Sequence, residues 1–456
     1  MTASVVAPAA PSTRAIPRPT PPAPGSAPPA ANRPDTPSPR RRSSVPTRLR
    51  AATGVVLALV AGLLAALVVG VAAARDNLHT IGSGTAPQAA TAADLYYALA
   101  DMDAQVANVL LIGHDEQIGN KQSALRQLRQ DRAAVTAALQ TLLDRGLDPA
   151  GEGTARRLLA DLATYDALTA QARFADDLVL ERPVARPPAN ATGFYLSATA
   201  LMHQDLLPAA DLLGRTAENG LADSADDGRN TARAAALAIV AFGGAAVLAL
   251  LVVQVRITRR FRRVFNPFLV AATVLVAVLT GLGASLLLDH GDRVRDAKAE
   301  AFDPFAALAR TRAVASDANA DESRYLMLPE RAGHYRAQFN EKAALLVPTS
   351  TEPGLAARLA AFRRDDAALV AAVESGRRDA AVGMATNVGR GNLAFEFYDY
   401  QSVLDSTAKS HHDDFTGRID AGRDALAGWR WAPPLVLGVG VLLVLAGVRP
   451  RLREYR

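Results

Sequence analysis

The sequence predicts an all-α membrane protein with four transmembrane helices and two extracytoplasmic four-helix-bundle domains. Three observations carry this. Four uncharged apolar runs, Ala52–Ala74, Ala234–Val255, Pro267–Leu288 and Pro433–Val448, approach or reach the length of about 20 residues that a helix needs to cross a hydrocarbon core. Arginines cluster at one end of every run. The two long intervals between runs carry apolar residues at helical spacing and no alternating strand pattern.

Residues 1–50 hold thirteen of the 27 prolines. Such a stretch cannot bury enough apolar surface to offset its ordering entropy, and it is expected to be a disordered, basic cytoplasmic arm. Its PRPTPPAPGSAPP stretch offers a polyproline ligand, and Ser43 and Ser44, behind three arginines, offer a phosphorylation site. Residues 51–74 form the first crossing. Val71-Ala72-Ala73-Ala74 resembles a signal cleavage site, but the run exceeds the usual apolar core of a signal peptide, so an uncleaved anchor is expected.

Residues 75–232 form the first bundle. Leu95, Leu99, Met102, Val106 and Val109 step by four and three, as do Leu125, Leu128, Arg132, Val135, Leu139 and Leu142. Leu158, Leu162 and Tyr165 begin a third seam, and Tyr195, Met202, Leu206 and Leu213 mark a fourth. Breaks fall at Gly113-His114-Asp115, at Gly146 to Gly153 and at RPVARPPAN.

The second crossing, 233–255, leads into a loop, 256–266, that carries Arg256, Arg259, Arg260, Arg262 and Arg263. These arginines place the loop on the cytoplasmic side and make it a contact surface for lipid and for a cytoplasmic partner. The third crossing, 267–288, follows. The second bundle, 289–430, has seams at Phe305 to Glu322, Tyr335 to Leu346, Leu355 to Val373 and Phe397 to Phe415. Trp429 and Trp431 suit a membrane interface before the fourth crossing, 431–448, and a cytoplasmic tail, 449–456. The plan reads as a duplication: crossing, bundle, crossing, twice.

Charge agrees with this topology. The chain is +5 overall, yet residues 75–232 hold 13 basic and 21 acidic side chains and residues 289–430 hold 19 and 22. The basic character belongs to the cytoplasmic pieces, which argues against nucleic-acid binding. The chain has no cysteine, so disulfides, thiolate metal sites and thiol redox chemistry are excluded.

No phosphate-binding loop, HExxH or GxSxG motif occurs, and no enzyme is expected. No cofactor or metal is expected either. His411-His412-Asp413-Asp414 is the nearest approach to a metal cluster, but adjacent histidines on a helix point about 100° apart. The candidate binding residues are polar positions on faces that should be buried. Arg310, Arg312, Asp317, Asn319, Asp321, Glu322 and Arg324 crowd one helix, and Asp101 and Asp103 form a parallel on another. Carboxylates beside guanidiniums suit an amino-acid-like ligand, the side chains of a partner, or an internal ion-pair network.

The stretch LYYALADMDAQVANVLLIG resembles the start of the four-helix sensing domain of bacterial chemoreceptors. With FDPFAALARTRAVASDANADESRYL, MHQDLLPAADLL and the arginine loop, the layout resembles the GlnX-type actinobacterial four-pass membrane proteins. That resemblance implies a relay of amino-acid (glutamate, glutamine or aspartate) availability. A GlnH-like amino-acid-binding lipoprotein would dock outside, and a PknG-like Ser/Thr kinase would be controlled inside. A homodimer is compatible with the same layout. Two other readings stay open: a chemoreceptor-like sensor that binds a small ligand directly, and a structural envelope or transporter accessory protein.

Overall fold

The computed structural model describes residues 45–114, 121–261, 266–346 and 353–453. Ser43, Ser44, Arg262 and Arg263 lie outside them, and the side chain of Arg260 is likewise not described. The described chain is all-helical, and four of its helices are long and apolar enough to cross a membrane.

Helix α1 (Val45–His79) passes through a π turn (Thr80–Thr85) into α2 (Ala86–Ile112). Helices α3 (Lys121–Asp144) and α4 (Pro149–Asp177) follow as a hairpin. Helix α5 (Ala189–Leu201) passes through a second π turn (Met202–Leu206) into the 55-residue α6 (Leu207–Phe261). The second half repeats this start. Helix α7 (Pro267–Ala297) passes through a π turn (Lys298–Phe302) into α8 (Asp303–Met327). Helices α9 (Ala332–Leu345), α10 (Pro353–Glu374) and the short α11 (Arg378–Thr386) lead to α12 (Leu393–Ala427), which continues through one 3-10 turn into α13 (Ala432–Arg453).

Each π turn has the same local cause. Pro87, Pro208 and Pro304 stand just beyond the three turns. A proline inside a helix has no N–H to donate, and its ring collides with the carbonyl four residues earlier. Those carbonyls belong to Ser83, Gln204 and Glu300, one within each widened turn. Widening to π geometry lets each helix run through its proline instead of ending there.

Caps set the other ends. Asp148 accepts a hydrogen bond from the Gly151 N–H at 3.0 Å, and Pro149 opens α4. Asn266 accepts from Phe268 N–H at 3.2 Å, while its own amide donates to the Gly447 carbonyl at 2.9 Å and ties the start of α7 to α13. Gly113 ends α2 at φ 63, and a Cβ there would overlap the Arg182 guanidinium.

The four apolar helices pack in the order α1, α6, α7, α13, with α13 returning to α1. Leu63, Leu67, Ile239, Leu250, Leu269 and Leu437 point inward, while Leu237, Leu248, Leu282 and Leu435 are exposed. This is the distribution a lipid solvent calls for. A small residue allows one close approach: a Cβ on Gly243 would overlap Thr280. Gln254, buried among these helices, donates to the Leu269 carbonyl at 2.9 Å and to Thr273 Oγ1 at 2.8 Å.

Beyond the apolar helices lies the head, formed by residues 75–232 and 289–430. Its two halves share one core. Helix α2 of the first half packs on α8 of the second, and a single cluster of buried residues runs from Leu95 and Tyr165 to Phe362 and Tyr400. Most of the expected seam positions are inside, but Leu125, Arg312, Val373, Gln401 and His411 are only half-buried, and at one position an acid replaces an expected base. Asp131, not Arg132, points into the core between Leu128 and Val135; Arg132 is half-exposed and pairs with Asp166 at 2.6 Å. At 3.6 residues per turn, a strict heptad drifts off the buried face, and a one-residue error exchanges an acid for a base.

Candidate functional site

Helix α8 is buried on nearly all sides from Ser316 to Met327. It lies between α2, α9 and α12, so its polar side chains cannot reach bulk water and must find partners inside. The sequence crowded seven candidate residues onto this helix, and the structure divides them into separate sets.

The central set surrounds Arg324, only 1% exposed. Its guanidinium donates to Asp103 from α2, to Asp321 at 2.6 Å, to Tyr195 Oη at 2.9 Å and to Thr199 Oγ1 at 3.0 Å. Asp317 lies 3.6 Å away. Asp103 also accepts from Tyr165 Oη at 3.1 Å and from Thr199 at 2.7 Å. Lys342 from α9 reaches Asp317 at 2.7 Å and Asp321 at 2.5 Å. His203 stands 3.7 Å from Asp103 and 3.4 Å from Asp317. It is the second residue of the π turn Met202–Leu206, so the widened turn carries this imidazole to the cluster. Burial raises the Asp103 carboxyl, but the Arg324 guanidinium, His203 and the Thr199 hydroxyl together outweigh it and hold the group well below the usual carboxylate range. Burial and the neighbouring charge push the Tyr165 hydroxyl well up.

A second set lies towards α10. Arg336 makes a two-pronged bond to Asp366, at 2.7 Å through one nitrogen. Glu322 lies against Asp366, 2% exposed, and neither of its oxygens accepts a hydrogen bond. Burial and then the Asp366 charge push Glu322 well above the usual carboxylate range.

The remaining candidates separate. Arg310 leaves for Glu218 at 2.5 Å, and Arg312 for Asp405 at 2.9 Å with its guanidinium 4.0 Å from the centre of the Tyr97 ring. Asn319 faces a cleft at the far end of the head. Asp101 lies beside Asp131, away from Arg324, with Ser316 donating to it at 3.2 Å. Burial raises both carboxyls, and with the adjacent Asp101 charge it pushes Asp131 up to about 9. Sequence reasoning missed Asp131, Lys342, His203 and Tyr195. The signal for Asp131 was one position away in a seam already drawn.

His114, Asp176 and Asp177 converge closely enough to hold a metal ion. Both carboxylates are already engaged, Asp176 by Arg182 at 2.7 Å and Asp177 by Lys121 at 2.8 Å. Farther down α12, His412 lies against the Phe305 ring at 5.1 Å, Asp413 pairs with Lys409 at 3.2 Å and Asp414 with Arg418 at 3.0 Å.

No curated protein and no solved structure matches the chain. Residues 77–226, which supply α2 to α5 and the head portion of α6, match the family model described as an actinobacterial sensor domain, so sensing is the role that comparison supports for the first half of the head.

Proposed function

We propose that the protein is a four-pass sensor and relay of the plasma membrane, with both termini and the loop at 256–266 on the cytoplasmic side. The head receives extracytoplasmic amino-acid availability through a solute-binding lipoprotein. The basic cytoplasmic pieces pass it to a soluble Ser/Thr kinase. The amino-acid input and both partners follow from the GlnX-type resemblance; the sensor-domain match at 77–226 supports the sensing role.

One structural observation supports transmission. Asp103 and Arg324 join α2 to α8, and each of these helices continues without a break into an apolar helix, α1 or α7. A partner that moves α2 against α8 therefore moves two crossings against each other. It does so only by binding one arrangement more tightly than another.

The test is nutrient-dependent kinase phosphorylation in cells carrying wild type or the D103N/R324M pair, at matched membrane levels. Loss of the nutrient response in the variant supports the relay. A response that persists even when the whole chain is deleted overturns it.

A further inference from the structure

A polar shaft runs inside the head, at the centre of four helices drawn from both halves. Helices α2 and α8 form one wall, and α3 and α12 flank the other side without packing closely on each other. At the far end, above the packed polar groups, these helices part around a cleft of about 130 Å³ lined by Asn108, Ser123, Asn319, Thr386, Phe397 and Tyr398. One turn nearer the membrane, three of these helices each present an amide: Gln105 after Asn108 on α2, Gln127 after Ser123 on α3, and Gln401 after Tyr398 on α12. One turn further, α2 and α3 present Asp101 and Asp131. Three helices thus step in register from cleft to amide layer, and two of them step on to carboxylates.

Such a column is costly in a helical core unless its groups are satisfied. They are only partly satisfied. Gln127 Nε2 donates to Asp131 Oδ1 at 2.8 Å and Asp101 Oδ2 at 3.4 Å, and Gln105 Nε2 to Asp101 Oδ1 at 3.4 Å. Gln401 Nε2 reaches Ser316 Oγ at 2.9 Å. Oδ2 of Asp131, Oε1 of Gln105 and Oε1 of Gln401 accept nothing, although Asp131 and Gln105 are 5% and 2% exposed. Among the described residues no cation forms an ion pair with either carboxylate, and the nearby Arg312 is turned to Asp405. Asp101 and Asp131 instead bond to each other through one shared proton, and a positive charge bearing several N–H donors could take that proton's place.

We propose that the shaft is a binding site for an organic ammonium ion, seated on Asp101 and Asp131 beneath the amide layer, with the rest of the ligand in the cleft. An ammonium group carries three donors. Those donors match the carboxylate pair and the free amide oxygens. The aromatic faces of Phe397 and Tyr398 suit an alkyl or cationic body above. A divalent metal fits less well. It would require six to eight oxygens for calcium, yet Gln105 and Gln127 turn amide N–H₂ towards the carboxylates. Two sources share this chemistry: the α-ammonium of a free amino acid and the terminal ammonium of a linear diamine. The proposal rests on the reading of the head as a sensor, and it adds a direct ligand to it.

The test is calorimetry on the full chain in lipid nanodiscs with L-glutamine, putrescine, glutarate and calcium chloride. Binding of glutamine or putrescine but not glutarate supports the site, and the amine that binds identifies the source. The D101N/D131N pair should weaken that binding by about tenfold or more, as expected for loss of a charge-assisted contact, while the exposed-site control D413N leaves it unchanged. Neutralising a buried acid pair favours folding, so a melt of each variant checks that it is intact. Absence of binding by both amines, glutarate bound as tightly, calcium bound in their place, or wild-type affinity in D101N/D131N overturns the proposal. A nutrient-dependent kinase response that survives in D101N/D131N overturns this site and leaves the relay standing. Loss of the relay with amine binding intact does the opposite.

Discussion

Arg324 on α8 and Asp103 on α2 come from opposite halves of the chain, 221 positions apart, and form one buried ion pair in the head. Removing one member leaves a charge in a core that cannot hydrate it. Arg324→Leu is expected to destabilise the folded chain by about 3–5 kcal/mol, the usual cost of breaking a buried pair on one side. Arg324→Lys should recover little, because an ammonium cannot serve Asp103, Asp321 and Tyr195 from one planar fork. Denaturant unfolding in detergent, with Asp103→Asn completing a double-mutant cycle, measures both effects.

Asp131 should make the head less stable as pH rises. Burial and the Asp101 charge push its carboxyl up to about 9, far above the value of about 3.9 for an unfolded chain. Between those values the folded state binds more protons than the unfolded state. The contribution is fully present below about pH 4 and is lost as pH climbs to about 9. Tyr97 and Tyr398, also raised by burial, titrate above that window. Asp131→Asn should therefore flatten the fall in melting temperature between pH 5 and pH 8.5. A variant whose profile runs parallel to wild type would show that this carboxyl is not the cause.

The π turn before Pro208 contains one residue more than an α-helix would use. Deleting exposed Gln204 should force α geometry onto the proline and cost about 3 kcal/mol. Deleting Gln204 together with Pro208→Ala should recover most of that, because Tyr195, Met202, Leu206 and Leu213 can keep their inward face on a regular helix. Melting of the two variants side by side checks this.

Because the chain has no cysteine, single introduced thiols report topology directly. Thr216→Cys, exposed in the head, should react with an impermeant maleimide on intact cells. Arg259→Cys should react only after the cells are permeabilised. The reverse pattern would turn the proposed orientation inside out.

Much of the fold was legible from short-range pattern. The seams at Leu95–Val109, Leu158–Tyr165 and Phe397–Phe415 supplied the buried faces, and the uncharged runs supplied the four long apolar helices. The site was half legible. Asp101, Asp103 and Arg324 stood out because charges interrupted faces that should be apolar. Their pairing did not, since a helical period says which face is buried but not against what. The π turns were hidden for a related reason: proline inside a periodic stretch ordinarily marks an end, and only the packing on both sides makes a widened turn the better solution. Helix α11 is nine residues long and has too few turns to show a period at all.

The acid at 103 and the base at 324 also bear on the chain's internal duplication. Two first halves assembled together would leave Asp103 without its guanidinium, and two second halves would leave Arg324 without the carboxylate that joins it to α2. Severed in the loop at 256–266, neither fragment should survive alone, whereas both made in one cell should find each other. Loss of either copy would be fatal to the other, which makes the repetition indispensable rather than redundant.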